Sequence, residues 1–258
     1  MEIQKLMLLD DCYISFLNLD CRPDRLAHMN KELARVGIKA ERTRGKMPNE
    51  FDRNDPRFQV QWRRTPGSIG CMMGQLEIMR EAWILGKSAM IFEDDIVIAS
   101  DFKERLNHFY EFLDGTDWAV GWLGGTIHIK PPFWYTGRNP DLPGEPAWKD
   151  AEPTSDPNII KCYAAFSTFA YVVRYEKIPE VIELLEEVMP ISMGIDWSFI
   201  KLGRRLDTYM YLPGCVKQMD GQSNIGNGMS IFSGFARLGD YWFQDRAENF
   251  DPKTIQWK

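Results

Sequence analysis

The chain has 258 residues, enough to bury a sizeable core and closer to one α/β domain than to two. Its 37 Asp and Glu outweigh its 31 Lys and Arg to give a net charge of -6, which excludes a broad electrostatic grip on nucleic acid or anionic lipid and leaves only local basic patches. Five scattered cysteines (Cys12, Cys21, Cys71, Cys162, Cys215) without a CxxC pair indicate neither a zinc knuckle nor a disulfide framework and fit a reducing cytosol.

The start, MEIQKLMLLDD, has acids where a signal peptide needs an apolar core, and no apolar run approaches the roughly eighteen residues of a membrane span. A cytoplasmic protein with no integral membrane segment is expected. Tyr13–Leu19 then forms a short strand, and the helix after it has Pro23 in its first turn, Leu26, Met29, Leu33 and Val36 on one face, and Gly37 as its stop. Gly45 to Ser68 is polar and aperiodic, and no core element is expected there. A helix over about Ile69 to Leu85 follows, with Met72, Leu76, Met79 and Trp83 in register and Gly86 closing it, and it leads into the strand AMIFEDDIVI. Phe102, Leu106, Phe109 and Leu113 mark a further helix, while WAVGWLGG, CYAAFSTFAYVV and TYMYL supply strands. Thr126 to Ile160 is rich in proline and carries Trp134, Tyr135 and Trp148, which suits an acceptor-binding loop or a plain surface excursion. Pro179 opens an amphipathic helix with Val181, Leu184, Leu185 and Val188. Alternating strands and helices predict an α/β fold with a mostly parallel central sheet flanked by helices.

Chemistry concentrates at Glu93, Asp94 and Asp95, directly after the apolar run Ala89 to Phe92. Two like charges about 4 Å apart repel by on the order of 4 kcal/mol at an effective dielectric near 20, so the triplet needs a cation or dispersal into solvent. Alternation along an extended strand would set Glu93 and Asp95 on one side and Asp94 on the other. Oxygen ligands of this kind suit Mg²⁺ or Mn²⁺. The plain alternative is an acidic strand end that merely opens a turn.

The run GSIGCMMGQLEIMREAWILGKSAMIFEDDIVI resembles the signature of glycosyltransferase family 25, the lipopolysaccharide and collagen-type sugar transferases. ISFLNLDCRPDRLAHMNKELARVGI is similar to the family's opening strand and helix, and WLGG, AYVV, IDWSFI and LPGCVKQMDGQSNI resemble later blocks in the right order. The resemblance implies a GT-A-like fold, with about 13–125 as the nucleotide-sugar part and about 126–258 as the acceptor side and closing loops of one domain spanning 1–258. It implies that Glu93, Asp94 and Asp95 bind a divalent metal, Mn²⁺ or Mg²⁺, and through it a UDP-sugar, with Asp95 as direct ligand. Asn18, Leu19 and Asp20 would then lie beside base and ribose, with Arg22 and Arg25 near phosphate. An inverting transfer also needs a base for the acceptor hydroxyl, and Asp196 in MGIDWSFI is the candidate, with helix N-capping as its plain alternative.

The chain departs from the family pattern in places. Gly74 and Gln75 stand where the family usually reads Ser-His, so the donor sugar is open, and Gln75 is carried as a donor-side contact. ERTRGK replaces a small-residue and acidic segment. His28, His108 and His128 all precede the last third, so Asp220 or Gln218 would take the place of a late metal-ligating histidine; His28 and His108 are expected on solvated helix faces. The glycine-rich run MDGQSNIGNGMSIFSGF suits a loop closing over a diphosphate or a plain tail, and the aromatics after it suit a docked helix. The expectation is a hexosyltransferase moving galactose or glucose from a UDP-sugar to a glycan or glycolipid hydroxyl. A catalytically impaired nucleotide-sugar or glycan-binding relative and a metal-dependent phosphohydrolase are the alternatives. The basic segments ERTRGK and QWRR suit either an anionic acceptor or solvated loops.

Overall fold

The computed structural model describes residues 7–127, 151–163, 165–202 and 205–219. The elements are α1 (Met7–Asp10), β1 (Cys12–Leu19), α2 (Pro23–Val36), β2 (Glu41–Gly45), α3 (Gln59–Arg64), α4 (Gly67–Ile84), β3 (Ser88–Glu93), β4 (Ile96–Ile98), α5 (Phe102–Asp114), β5 (Val120–Ile127), β6 (Glu152–Pro153), β7 (Ile159–Lys161), β8 (Ala165–Val173), α6 (Ile178–Val188), α7 (Ile195–Leu202), β9 (Thr208–Tyr211) and β10 (Val216–Gln218). One large sheet has the order β2-β1-β3-β8-β5-β9-β7-β6, and β10 and β4 form a separate antiparallel pair. The large sheet is mixed: β1 runs parallel to β2 and β3, and β5 to β9, while β8 and β7 run against their neighbours. β1, β2, β3, β5 and β9 therefore share a direction, and their carboxyl ends lie along one edge.

Strand alternation divides the core between the two faces of this sheet. Ala89 and Ile91 of β3 pack with Tyr171 of β8 and Trp122 of β5 beneath α4, α6 and α7. Met90 and Phe92 pack with Ile14 and Phe16 of β1 beneath α2 and α5. On this alternation Glu93 falls on the α4 face and Asp94 on the α2 face. The sequence signals for α2 hold at both ends, Pro23 opening it and Gly37 closing it at φ 65°.

Several expectations change. AMIFEDDIVI is not one strand: the chain turns at Asp94–Asp95, and β4 leaves the large sheet to pair with β10. The Gly45 to Ser68 stretch holds α3, and Phe58 and Gln61 in it are buried. Trp83 is 51% exposed with Ile84 and Leu85 beside it, so the apolar stripe of α4 ends at Met79 and Ala82. Of the proline-rich stretch its first two residues close β5 and its end is described, where β6 and β7 extend the sheet; Trp134, Tyr135, Trp148 and His128 lie outside the described residues.

Glycine sets how closely α4 approaches the strands. A Cβ on Gly70 would stand 2.0 Å from the Lys46 carbonyl oxygen, and backbone on both sides leaves nothing to yield. Gly70→Ala is expected to cost roughly 1–3 kcal/mol in urea denaturation, while Gly115→Ala, whose Cβ would have no neighbour nearer than 3.7 Å, stays within about 0.5 kcal/mol.

Candidate active site at the acidic turn

The carboxyl ends of β1 and β3 lie side by side, with Leu17 opposite Glu93. Asn18, one position on, shares the α2 face with Ile14 and Phe16 and is 1% exposed. Its amide is fully engaged: Nδ2 donates to Asp94 Oδ2 at 2.7 Å and to the Arg22 carbonyl at 3.2 Å, and Oδ1 accepts from Arg42 Nε at 3.0 Å. Asn18 thus underpins the site from below. Leu19, next to it, lies in the register position opposite Gly45 and is half-buried.

Arg25, on the first turn of α2, is also buried. Its Nη1 lies 2.7 Å from Asp94 Oδ1 and 3.1 Å from Asp95 Oδ2. One guanidinium therefore offsets two carboxylates, and Asp94 has both oxygens occupied, by Arg25 and by Asn18. The turn after β3 brings Asp95 to Arg25 alongside Asp94, which overrides the simple alternation expected of Glu93 and Asp95. Gln218 of β10 donates to Asp95 Oδ2 at 3.3 Å, and the Met219 amide donates to the Asp95 carbonyl. Asp95 Oδ1 is buried and accepts no hydrogen bond among the described residues.

Glu93 points to the α4 face. Cys71 Sγ and Gln75 Nε2 each lie 3.5 Å from its Oε1, and Gln75 Oε1 accepts from the Tyr171 hydroxyl at 2.5 Å. Gln75 therefore joins the Tyr171–Trp122–Phe199 aromatic cluster to the acidic turn. A Cβ on Gly74 would stand 2.4 Å from Leu17 Cδ1, which explains a glycine at this position by the packing of α4 on β1. Burial pushes the Glu93 pKa well up, with Asp95 and Asp196 adding to the rise. Burial also raises Asp95, against the pull of Arg25, with Asp94 adding to the rise. A carboxyl whose pKa is raised by folding loses stability for the fold as pH climbs and it ionises, so a cation beside these oxygens would relieve a cost already present.

Asp196 is half-buried in the first turn of α7, which starts at Ile195, so it is a helical residue and not the N-cap. Its charge is felt at Glu93, Cys71 and Tyr171, which puts it on the same face as Glu93.

On the outer side, exposed Asp20 accepts from Arg42 at 2.5 Å and Arg44 at 2.8 Å, and these arginines hold its pKa down. Arg22 donates twice to Asp24 on the surface, and its pKa is raised first by that bond and then by Asp94 and Asp95. Arg42 and Arg44 were hidden in the basic run ERTRGK, which is β2, an edge strand paired with β1. His28 donates to the Ile96 carbonyl at 2.6 Å, and His108 sits between Asp156 at 2.6 Å and Tyr211 at 3.2 Å, so neither is simply solvated. Asp220 lies outside the described residues, as does the glycine-rich run beyond it.

Among the described residues no group of three His, Cys, Asp or Glu is placed to hold a metal ion. The free lone pairs of Asp95 Oδ1 and the underprovided carboxyl of Glu93 nevertheless fit the oxygen chemistry of a hard divalent cation.

These features define an α/β protein with a buried acidic corner at the carboxyl edge of its sheet, the edge where such sheets hold ligands. Residues 12–123 match the family described as Glycosyltransferase family 25 (LPS biosynthesis protein), a span that runs from β1 through the acidic turn to β5. That stretch of the chain is thus similar to the glycosyltransferases of family 25. No curated protein matches it. Similar solved structures include a glycosyltransferase involved in glycosylation of the major capsid of PBCV-1, at 10% identity and TM-score 0.40, covering 90% of this chain and 98% of that one. A UDP-glucose pyrophosphorylase without ligand gives 9% identity and TM-score 0.39, covering 90% and 99%. The UDP-glucose pyrophosphorylase of Acinetobacter baumanii gives 10% and 0.37, covering 87% and 84%. Among the described residues no helix is long and apolar enough to cross a membrane.

Proposed function

We propose that the chain transfers a hexose, galactose or glucose, from a UDP-sugar to a hydroxyl of a glycan or glycolipid, with inversion and with Mn²⁺ or Mg²⁺ bound. The observation that carries this reading is the buried Asp95 Oδ1 without a partner among the described residues, beside a Glu93 whose ionisation is opposed by burial. Asp95 and Glu93 would hold the metal, and Asp220 is the candidate third ligand. The metal, when bound, neutralises the departing diphosphate. Asp94 acts indirectly, fixed by Arg25 and Asn18 so that Asp95 keeps its place. Arg22 and Asp20, on the exposed side of the corner, would meet phosphate and ribose, and Arg42 holds Asp20 and Asn18 in position.

Asp196 would take the proton of the acceptor hydroxyl. As that oxygen bonds the anomeric carbon, the bond from the same carbon to the diphosphate breaks and UDP leaves with its electron pair. The position of Asp196 near Glu93, on the α4 face, supports this role. The first half of the chain would hold the donor and the second half the acceptor.

The test is UDP release from UDP-galactose and UDP-glucose with Mn²⁺, with and without saccharide acceptors. Asp196→Asn is expected to slow transfer by about a hundredfold with donor affinity unchanged. Full activity of that variant would remove Asp196 from the reaction.

A further inference from the structure

We propose that Arg53, which lies over Trp62, and Arg63 and Arg64 at the end of α3 form an anion subsite for the acceptor, so that the saccharide receiving the hexose carries a phosphate or carboxylate. This rests on the transferase reading and adds a substrate class to it.

The sequence has two basic segments, and the structure separates them. In the first, Arg42 and Arg44 pair with Asp20, Arg44 also with Glu50, and Lys46 with Glu77, so its charge is spent within the protein. In the second, Arg63 and Arg64 at the end of α3 are exposed and meet no carboxylate among the described residues, and the same holds for Arg53. The Arg53 guanidinium lies over the Trp62 ring, 5.8 Å from its centroid. The Trp62 indole N–H is buried without a partner among the described residues. In a chain of net charge -6, three exposed guanidinium groups that meet no carboxylate among the described residues, one of them over an indole, are a local excess of positive charge.

Its place matters as much as its charge. Gln61 Nε2 donates to the Met189 carbonyl at 2.8 Å, and the hydroxyls of Thr65 and Ser68 donate to the Met193 carbonyl at 2.6 and 2.7 Å. These bonds tie α3 and the start of α4 to the 189–193 segment leading into α7 and Asp196. The helix that carries Arg63 and Arg64 is thus joined to the segment that leads to Asp196, the residue that would take the acceptor proton. Guanidinium forks suit phosphate and carboxylate oxygens, and an indole beside them gives an apolar surface for a sugar ring.

The test follows the Trp62 indole N–H resonance in the full chain, assigned by its loss in Trp62→Phe, during titration with glucose 6-phosphate, glucuronate, glucose, inorganic phosphate and a short single-stranded RNA. Either acidic saccharide is expected to move the resonance at about tenfold lower concentration than glucose, and Arg63→Ala/Arg64→Ala to erase that preference. An equal response to glucose, a preference that survives the double variant, inorganic phosphate acting as well as glucose 6-phosphate, or a response to RNA alone would each overturn the proposal. UDP-sugar binding measured on the same samples separates the two ideas: donor binding without anion preference sinks only the subsite, and anion preference without donor binding sinks the transferase reading.

Discussion

Asp95→Asn is expected to lower UDP release from a UDP-sugar by on the order of a thousandfold in the presence of Mn²⁺. The substitution keeps the shape of the side chain and leaves one oxygen for Arg25 and Gln218, which now meet Asp95 at 3.1 and 3.3 Å. What it removes is the charge and one of the two oxygens, and Oδ1 is the one that no described residue uses. The fold should tolerate it, because one buried carboxylate fewer eases the repulsion that raises Glu93 and Asp95. A large loss of activity at unchanged melting temperature would therefore report on the cation and the diphosphate. A loss of less than tenfold would mean that Asp95 holds no metal in the reaction.

The second large effect is on stability. Arg25→Met is expected to cost roughly 3–5 kcal/mol, because it leaves Asp94 and Asp95 buried without their common cation. Asn18 would remain on Asp94, and a single amide does not replace a guanidinium. Arg44→Met makes the comparison: its partners Asp20 and Glu50 are on the surface, and the expected change is within about 1 kcal/mol. Urea denaturation of the two variants reads the difference directly. Added Mn²⁺ should recover part of the loss in Arg25→Met, since a cation bound only by the folded state stabilises it.

Local signals carried much of the fold. β1 and α2 followed from an apolar run, Pro23 and Gly37, and α4, α5 and α6 from stripes of Met, Leu, Phe and Val that the structure buries. β2 was not legible because it is an edge strand whose residues Glu41, Arg42, Thr43 and Arg44 are exposed or half-buried, so no apolar alternation marks it. The break between β3 and β4 was hidden too, since apolar residues flank the acids on both sides and only the pairing of β4 with β10 shows that the chain has left the sheet.

The acidic triplet itself stood out in the sequence, and the structure gathers Asn18, Arg25, Gln75 and Asp196 around it. The division of labour was not readable. That Asn18 and Asp94 are saturated by each other and by arginines, while Asp95 keeps an oxygen bare, depends on a turn and on contacts 69 and 76 residues apart along the chain. Tyr171 and Arg42 escaped notice for the same reason: one looked like a core aromatic and the other like loop charge, and only their bonds to Gln75 and Asn18 connect them to the site.

Isothermal titration of UDP-galactose and UDP-glucose into the full chain, with Mn²⁺ and then with chelator, tests the reading of the acidic corner most directly. Saturable binding that needs the cation and disappears in Asp95→Asn is the predicted result. Binding of equal strength with chelator or in the variant, or no binding of either nucleotide-sugar, would contradict it.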